Sequence, residues 1–452
     1  MQISRPFALA GVPLAFAAGA VASRIVLRAA PHRWTVDLSQ PLVVVTAWRG
    51  YGLDFFVIFA LTLVLATLAL GIALGLGRER VAGPTLTASL VLAASALIAA
   101  FSWPVVFSSD VYAYAAYGDL TLHGHNPYQA VSIGYHDAFV DAARWQWGGG
   151  SFPPCVYGPA FVGIAAIGVL AGLDRIGPSL WIMRIIAAVA FLGSVALLNE
   201  ILRGKRYRRF SIAAYALNPV ALWSTAEGHN DVLLLLAIFG AFAALRLKNV
   251  RGAGTIFGLA PLLKIIGIAA GPLVFLWLRA KRNAEAWPFA KALLVGLVVA
   301  AALILPLQLQ TLGSLATHGR YEPQFSFQSL VGIVPAFVVV VAAAATGLRA
   351  LARGDGSGVL WLAIAGWLAL PNPYPWYALW ILPFAVAFPP SRASFALWLA
   401  TIFAALRYLP ETFGNMPHLV TEIVTLVALA PLIFAIPARV SEREPVKAPL
   451  DS

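Results

Sequence analysis

Long apolar runs separated by short polar clusters set the pattern of this chain. A helix needs about 20 mostly apolar residues to cross roughly 30 Å of hydrocarbon. Runs that meet or approach that length fall near 7–28, 54–76, 86–106, 180–202, 210–225, 231–247, 289–308, 330–350, 358–371, 376–390, 394–409 and 419–437. The pattern predicts about twelve crossings. Two further runs, 155–173 and 253–278, fit less well. The first run follows Arg5 and passes through Ala-Val-Ala-Ser, as a cleaved signal peptide would. Because apolar residues resume at Ile25, Val26 and Leu27 and more spans follow, the expectation is an uncleaved first span.

The Lys and Arg between the runs set the expected orientation, since cytoplasmic loops are enriched in them. Arg203-Gly-Lys-Arg-Tyr-Arg-Arg209 is the strongest inside marker, and Arg246/Lys248/Arg251, Arg279/Lys281/Arg282 and Arg439/Arg443 should share its side. If 155–173 crossed, either the acidic loop 107–154 would be cytoplasmic, against Arg78 and Arg80, or the 203–209 cluster would be outside. A short helix at the outer interface avoids both. The run 253–278 has basic clusters at both ends and contains Pro261, Lys264, Gly267, Gly271 and Pro272. Two readings are open: two half-helices that return to the cytoplasm with Lys264 near the apex, or one full span whose Lys snorkels. The first is the expectation, because broken backbone at membrane depth is tolerated where it lines a protein cavity.

Both termini are then cytoplasmic, and the outer loops are 29–53, 107–179, 226–230, 309–329, 371–375 and 410–418. Arg24, Arg28, Arg33 and Arg49 lie on or near the outer side, against the rule. No internal repeat or long linker divides the chain, so residues 1–437 are expected to form a single polytopic domain followed by a polar cytoplasmic tail, 438–452.

Composition narrows the class. Of 452 residues, 60% are apolar and 11% charged, against about 45–50% and about 25% in soluble domains, which excludes an ordinary soluble enzyme and a disordered chain. The net charge of +12 is dispersed between apolar runs instead of forming a basic domain, so no nucleic-acid partner is expected. The single cysteine, Cys155, permits no internal disulfide and no cysteine-based zinc site.

Candidate chemistry gathers at the outer loops. In the segment from Phe107 to Tyr128, Ser109 or Asp110 can cap a helix that places Tyr114 and Tyr117 at i+4 and i+7 from Asp110, with Asp119 on the opposite face. Asp110 is a carboxylate at the membrane mouth, which fits a cap and a catalytic base alike. Glu227, His229, Asn230 and Asp231 put four polar groups at a span boundary, where leaving them unpaired costs several kcal/mol each by order of magnitude. They read as a functional cluster or as a helix cap with a hydrated Glu227. The i, i+2, i+4 spacing of Glu227, His229 and Asp231 is not a His-Glu-x-x-His pattern, and neither a metal nor a cofactor is expected. His318, Arg320 and Glu322 in Thr317–Pro323 form a further polar group or a solvated turn.

Taken in order, Ser109-Asp-Val-Tyr-x-Tyr114 with Gly118, Gly124 and Asn126-Pro-Tyr128, Tyr157-Gly-Pro159, Leu217-Asn-Pro219, Gly228-His-Asn-Asp231, Lys264 in its interrupted segment, and Pro375-Trp-Tyr377 resemble the polyprenol-phosphate-mannose-dependent α-(1→6) mannosyltransferases of the mycobacterial and corynebacterial envelope, within the GT-C class. The resemblance covers about residues 86–390. It implies an all-α multispanning bundle with juxtamembrane helices around the site, and an extracytoplasmic catalytic Asp, carried over onto Asp110. It also implies a polyprenyl-phosphate sugar donor, a glycan or glycolipid acceptor and an inverting transfer.

The chain departs from that pattern in having two spans ahead of the span that leads into the catalytic loop, and no second catalytic residue is matched in 309–329. For such a donor, Lys264, Arg320 and His318 are the expected phosphate-binding groups, with His229 assisting. Tyr112, Tyr114 and Tyr117, with Glu227, His229, Asn230 and Asp231, are the expected acceptor-binding set. Trp145 and Trp147 are further candidates for stacking on sugar, although aromatics at this depth also form an interface belt. A secondary transporter is the competing class, since broken helices and an intramembrane Lys suit transport. It would place its site at the midplane between two related halves.

Overall fold

A computed structural model of the chain describes residues 5–29, 34–36, 45–48, 52–75, 84–105, 107–108, 110–144, 150–308, 323–409 and 417–435. Helices dominate: α1 Arg5–Ala29, α2 Gly52–Gly75, α3 Leu86–Phe101, α4 Asp110–Leu122, α5 Ala138–Ala143, α6 Pro159–Ala171, α7 Ile176–Ile201, α8 Arg208–Ala216, α9 Pro219–Ala226, α10 Asp231–Arg246 and α11 Val250–Leu259. Beyond a pair of 3-10 turns come α12 Ala270–Lys281, α13 Asn283–Gln308, α14 Phe327–Val331, α15 Ile333–Ala352, α16 Gly358–Ala369, α17 Ala378–Ala387, α18 Arg392–Phe403 and α19 His418–Leu429. The all-helical expectation needs one amendment. Trp34–Val36 and Val45–Trp48 pair as a short antiparallel ribbon between α1 and α2, with Trp34 opposite Trp48.

Among the described residues, six helices are long and apolar enough to cross a membrane, at Phe7–Val26, Leu53–Gly75, Ile176–Ile201, Asn283–Leu307, Ile333–Ala352 and His418–Ala435, and there are seven if the bent pair α9 and α10 is one span. The protein is therefore a multispanning membrane protein, but twelve crossings are not shown. The expected crossings at 86–106, 358–371 and 376–390 fall on shorter apolar helices, Leu86–Phe101, Gly358–Ala369 and Pro375–Ala387. That at 394–409 is α18 followed by a 3-10 turn.

The expected crossings 210–225 and 231–247 become three helices. Asn218 ends α8's run and caps α9, accepting from the Ala221 amide at 3.0 Å, and Pro219 takes the first helical position, where a missing N–H costs nothing. α9 and α10 then meet at 118° across residues 227–230. The 155–173 run forms α6, whose 13 residues extend about 20 Å, short of the hydrocarbon thickness. The 253–278 run is two helical halves, α11 and α12, with Lys264 in extended backbone between the 3-10 turns at Ala260–Leu262 and Ile265–Ala269.

Packing explains why these interrupted pieces hold together. Gly254 and Gly258, one turn apart on α11, lie so close to α13 that a Cβ on Gly258 would sit 2.5 Å from the Leu293 carbonyl and 2.8 Å from Gly296 Cα. Small residues at such a spacing let membrane helices approach to backbone contact. On the other side of the molecule, Gly118 of α4 would place a Cβ 2.5 Å from the Ala165 carbonyl carbon of α6, so the loop helix carrying Asp110 is packed tightly on its neighbour. By contrast Leu294, Val295 and Val298 on α13 and Val334, Phe337 and Val338 on α15 are exposed, as lipid-facing positions require.

Candidate active site

Asp110 opens α4, and its backbone N–H donates to Ser108 Oγ at 3.2 Å. With its carboxylate at the positive end of a helix and its side chain 21% exposed, it is reachable from outside the core. Two side chains hold it. Tyr114 Oη, one turn along, donates to Asp110 Oδ2 at 3.3 Å, and His229 Nδ1 approaches the same oxygen at 3.4 Å. Burial raises the carboxyl pKa, but the His229 contact, the charges of His229 and Lys264, and the Tyr114 hydroxyl outweigh it and hold Asp110 below the ordinary aspartate value.

His229 sits in the break between α9 and α10, 1% exposed, with Nε2 3.5 Å from Glu227 Oε2. An imidazole meets carboxylates on both sides as a donor only when both nitrogens carry protons. Glu227, 4% exposed, also accepts from the Tyr408 hydroxyl at 3.4 Å. The indole of Trp376 stacks on the imidazole at 4.3 Å and 17°, and Tyr374 stacks on Trp376 at 4.4 Å and 7°. This break is tight because Gly228 adopts φ +89°, and a Cβ there would lie 2.9 Å from Val111 Cγ2. A left-handed backbone beside α4 is glycine's role.

Asp231 begins α10 with no side-chain exposure. It accepts from Lys264 Nζ at 2.6 Å and from Trp380 Nε1 at 2.5 Å, while Lys264 also donates to Asn230 Oδ1 at 3.4 Å. The ammonium lies 5.3 to 5.8 Å from the ring centres of Trp380, Tyr157 and Tyr377, an aromatic cage for a cation. Gly158 brings Tyr157 there: a Cβ would fall 2.2 Å from the Leu262 carbonyl oxygen, and the Gly158 N–H donates to Leu263 O at 3.2 Å. The Tyr-Gly-Pro element is thus a backbone clasp on the broken segment that holds Lys264.

Among the described residues, the buried side-chain polar atoms that no hydrogen bond reaches include Trp223 Nε1, Ser224 Oγ, Glu227 Oε1, Asn230 Nδ2 and Asp231 Oδ2. Native interiors leave few such atoms, and these five lie together on residues 223–231. Arg184, by contrast, is fully engaged in structure. Its Nε donates to Ala226 O at 2.5 Å and a terminal nitrogen to Ala100 O at 3.4 Å, which caps the ends of α9 and α3.

The structure thus brings together Asp110, Tyr114, Glu227, His229, Asn230, Asp231 and Lys264. Tyr112 and Tyr117 are buried, at 1% and 4%, and Tyr117 donates to Pro153 O at 3.1 Å on a side of α4 packed against Phe152. His318, Arg320, Trp145 and Trp147 lie outside the described residues. Trp380 and Tyr408 carried no signal in the sequence, and Trp376 was visible only inside the Pro-Trp-Tyr element.

A sequence profile of the alpha-(1->6)-mannopyranosyltransferase N-terminal domain matches residues 8–280, more than half of the chain. The chain belongs to this family. The enzyme is also 27% identical over 383 residues to alpha-(1->6)-mannopyranosyltransferase A of Mycobacterium tuberculosis, with 73% of the present chain and 72% of that protein covered. No solved structure matches it. Membership covers Asp110, the 227–231 break and Lys264, and it favours a membrane mannosyltransferase over a transporter.

Proposed function

We propose that this membrane mannosyltransferase moves a mannosyl group from a polyprenyl-phosphate donor to a glycan or glycolipid acceptor at the extracytoplasmic face, with inversion at the anomeric carbon. The observation that carries this reading is the Asp110 carboxylate, partly exposed at the start of α4 and 3.4 Å from His229, in a cluster that also contains the caged Lys264.

In the single displacement, the acceptor hydroxyl oxygen forms a bond to the anomeric carbon while the bond from that carbon to the phosphate oxygen breaks. Asp110 takes the hydroxyl proton as general base, and its low pKa keeps it ionised and ready. The departing polyprenyl phosphate carries the bonding electrons as an anion and needs no acid. Lys264 has three N–H donors, of which two meet Asp231 and Asn230, so the third is directed to the phosphate as its charge grows. Arg320 and His318 are the further donors of this reading, supplied by the loop 309–329. Tyr114 and His229 position the base, and Trp376 fixes the imidazole plane.

The test is Asp110→Asn in membranes supplied with radiolabelled polyprenyl phosphate mannose. Expression is expected to be retained while transfer falls at least about 100-fold, as loss of a positioned base predicts. Turnover near that of the native enzyme removes Asp110 from the role.

A further inference from the structure

At the far end of α4 from Asp110 lies a second polar cluster that the transfer reaction does not use. Asp119 on the last turns of α4, His123 just beyond it, and Asp174 in the turn after α6 each offer one ligand atom, all within 4.8 Å of one another. The Asp119 side chain is 2% exposed, and a buried carboxylate is costly without a cation. Among the described residues it forms an ion pair with His123, whose side chain is 53% exposed and whose Nδ1 is shared at 3.1 Å between the Asp119 carboxylate and the Asp119 carbonyl. Such a solvent-screened imidazole is a weak counter-charge. Asp137 and Asp174 add negative charge beside it, and Asp137, whose Oδ1 caps α5, also shares a side-chain hydrogen bond with Asp119, a proton between two carboxylates that a cation would replace.

We propose that Asp119, His123 and Asp174 bind a first-row divalent cation, Zn2+ or Mn2+, as a structural clamp on the outer loop. One imidazole nitrogen and two carboxylate oxygens from separate segments form the mixed set that these ions accept, whereas Mg2+ and Ca2+ prefer oxygen alone. Donors at about 2.1 Å from a tetrahedral ion lie about 3.4 Å apart, so the 3.1 Å between Asp119 and His123 already fits, and Asp174, whose ligand atom lies within 4.8 Å of both, closes the remainder. Nδ1 faces two Asp119 oxygens and so carries a proton; on binding it gives that proton up so that its lone pair meets the ion, and water completes the coordination. The clamp sits about 14 Å along α4 from Asp110, nine residues at 1.5 Å each, and ties the α4 C-terminus to the turn between α6 and α7. It therefore acts on the rigidity of the helix that carries the base and takes no part in the displacement.

The experiment uses the full chain in detergent, stripped with EDTA and titrated with Zn2+, Mn2+ and Mg2+ by calorimetry, with metal content read by mass spectrometry. One equivalent of Zn2+ or Mn2+ is expected to bind, Mg2+ is not expected to displace it, and the thermal midpoint should rise on loading. His123→Ala and Asp174→Asn lie on exposed positions that leave the fold intact, and each should weaken binding by at least about 100-fold, the upper range for changes one shell further out. Absence of stoichiometric binding by the native chain overturns the proposal, and so does native-like affinity in both variants.

Discussion

Asp231 has no side-chain exposure and accepts from both Lys264 and Trp380, so Asp231→Asn replaces an anion with an amide that cannot balance the ammonium 2.6 Å away. Removing one partner of a buried pair costs roughly 3–5 kcal/mol because the other charge stays behind. Lys264 keeps 14% side-chain exposure, which places the expected loss near the lower end, about 3 kcal/mol. Lys264→Met should cost a similar amount by stranding the carboxylate. The double variant removes both charges, and replacing a buried pair with neutral groups is often near neutral, so it should recover at least about 4 kcal/mol of the roughly 6 kcal/mol sum of the singles. At about 2 °C per kcal/mol for a large chain, each single variant should melt roughly 6 °C lower in detergent, with the double variant between them and the native protein. Tryptophan fluorescence during thermal unfolding of the four proteins supplies the cycle. Singles that each cost under about 1 kcal/mol, or a double variant as damaged as the two added together, would refute a directly coupled buried pair.

The low pKa of Asp110 has a sign that an activity profile can read. A depressed carboxylate contributes stability above its unfolded value, near 3.8, and loses that contribution as pH falls through the folded value, so kcat/KM should stay flat from neutrality down past the ordinary aspartate range. His229→Gln removes the largest lowering influence and leaves burial unopposed by it, which should move the acid limb to higher pH; an unmoved limb shows that His229 does not set the base. Gly158→Ala places a methyl within van der Waals overlap of the Leu262 carbonyl. Overpacking of this kind typically costs about 1–3 kcal/mol, and donor affinity measured by lipid-phosphate binding should fall along with the melting temperature. Native affinity and melting would remove the clasp from its role.

The apolar pattern revealed a membrane protein, and the long runs at 54–76 and 180–202 correspond closely to α2 and α7. Lys264 among prolines and glycines pointed to the broken segment, because a proline lacks the N–H that carries a helix onward, although Pro288 and Pro306 lie within the continuous α13. Hydropathy did not distinguish a crossing from a buried short helix: α16 and α17 are as apolar as a span but have only 12 and 10 residues. Nor did it show that 210–225 and 231–247 contain sharp turns, although Asn218-Pro219 and Gly228 carry the chemistry of a cap and of a left-handed bend. Asp110, His229 and Asp231 were legible as polar groups at membrane boundaries. Their partners were not, since Trp376, Trp380 and Tyr408 reach the site from more than 140 residues along the chain through tertiary packing alone.

The sequence profile of the family's N-terminal domain closes at residue 280, yet the indole stacked on His229, the indole bonded to Asp231 and the hydroxyl bonded to Glu227 all come from beyond it. The polar cluster and the aromatic wall that packs on it therefore come from two stretches of chain. A fragment ending at 280 would keep Asp110, His229 and Lys264 while lacking the Trp376, Trp380 and Tyr408 contacts that hold His229, Asp231 and Glu227 in place.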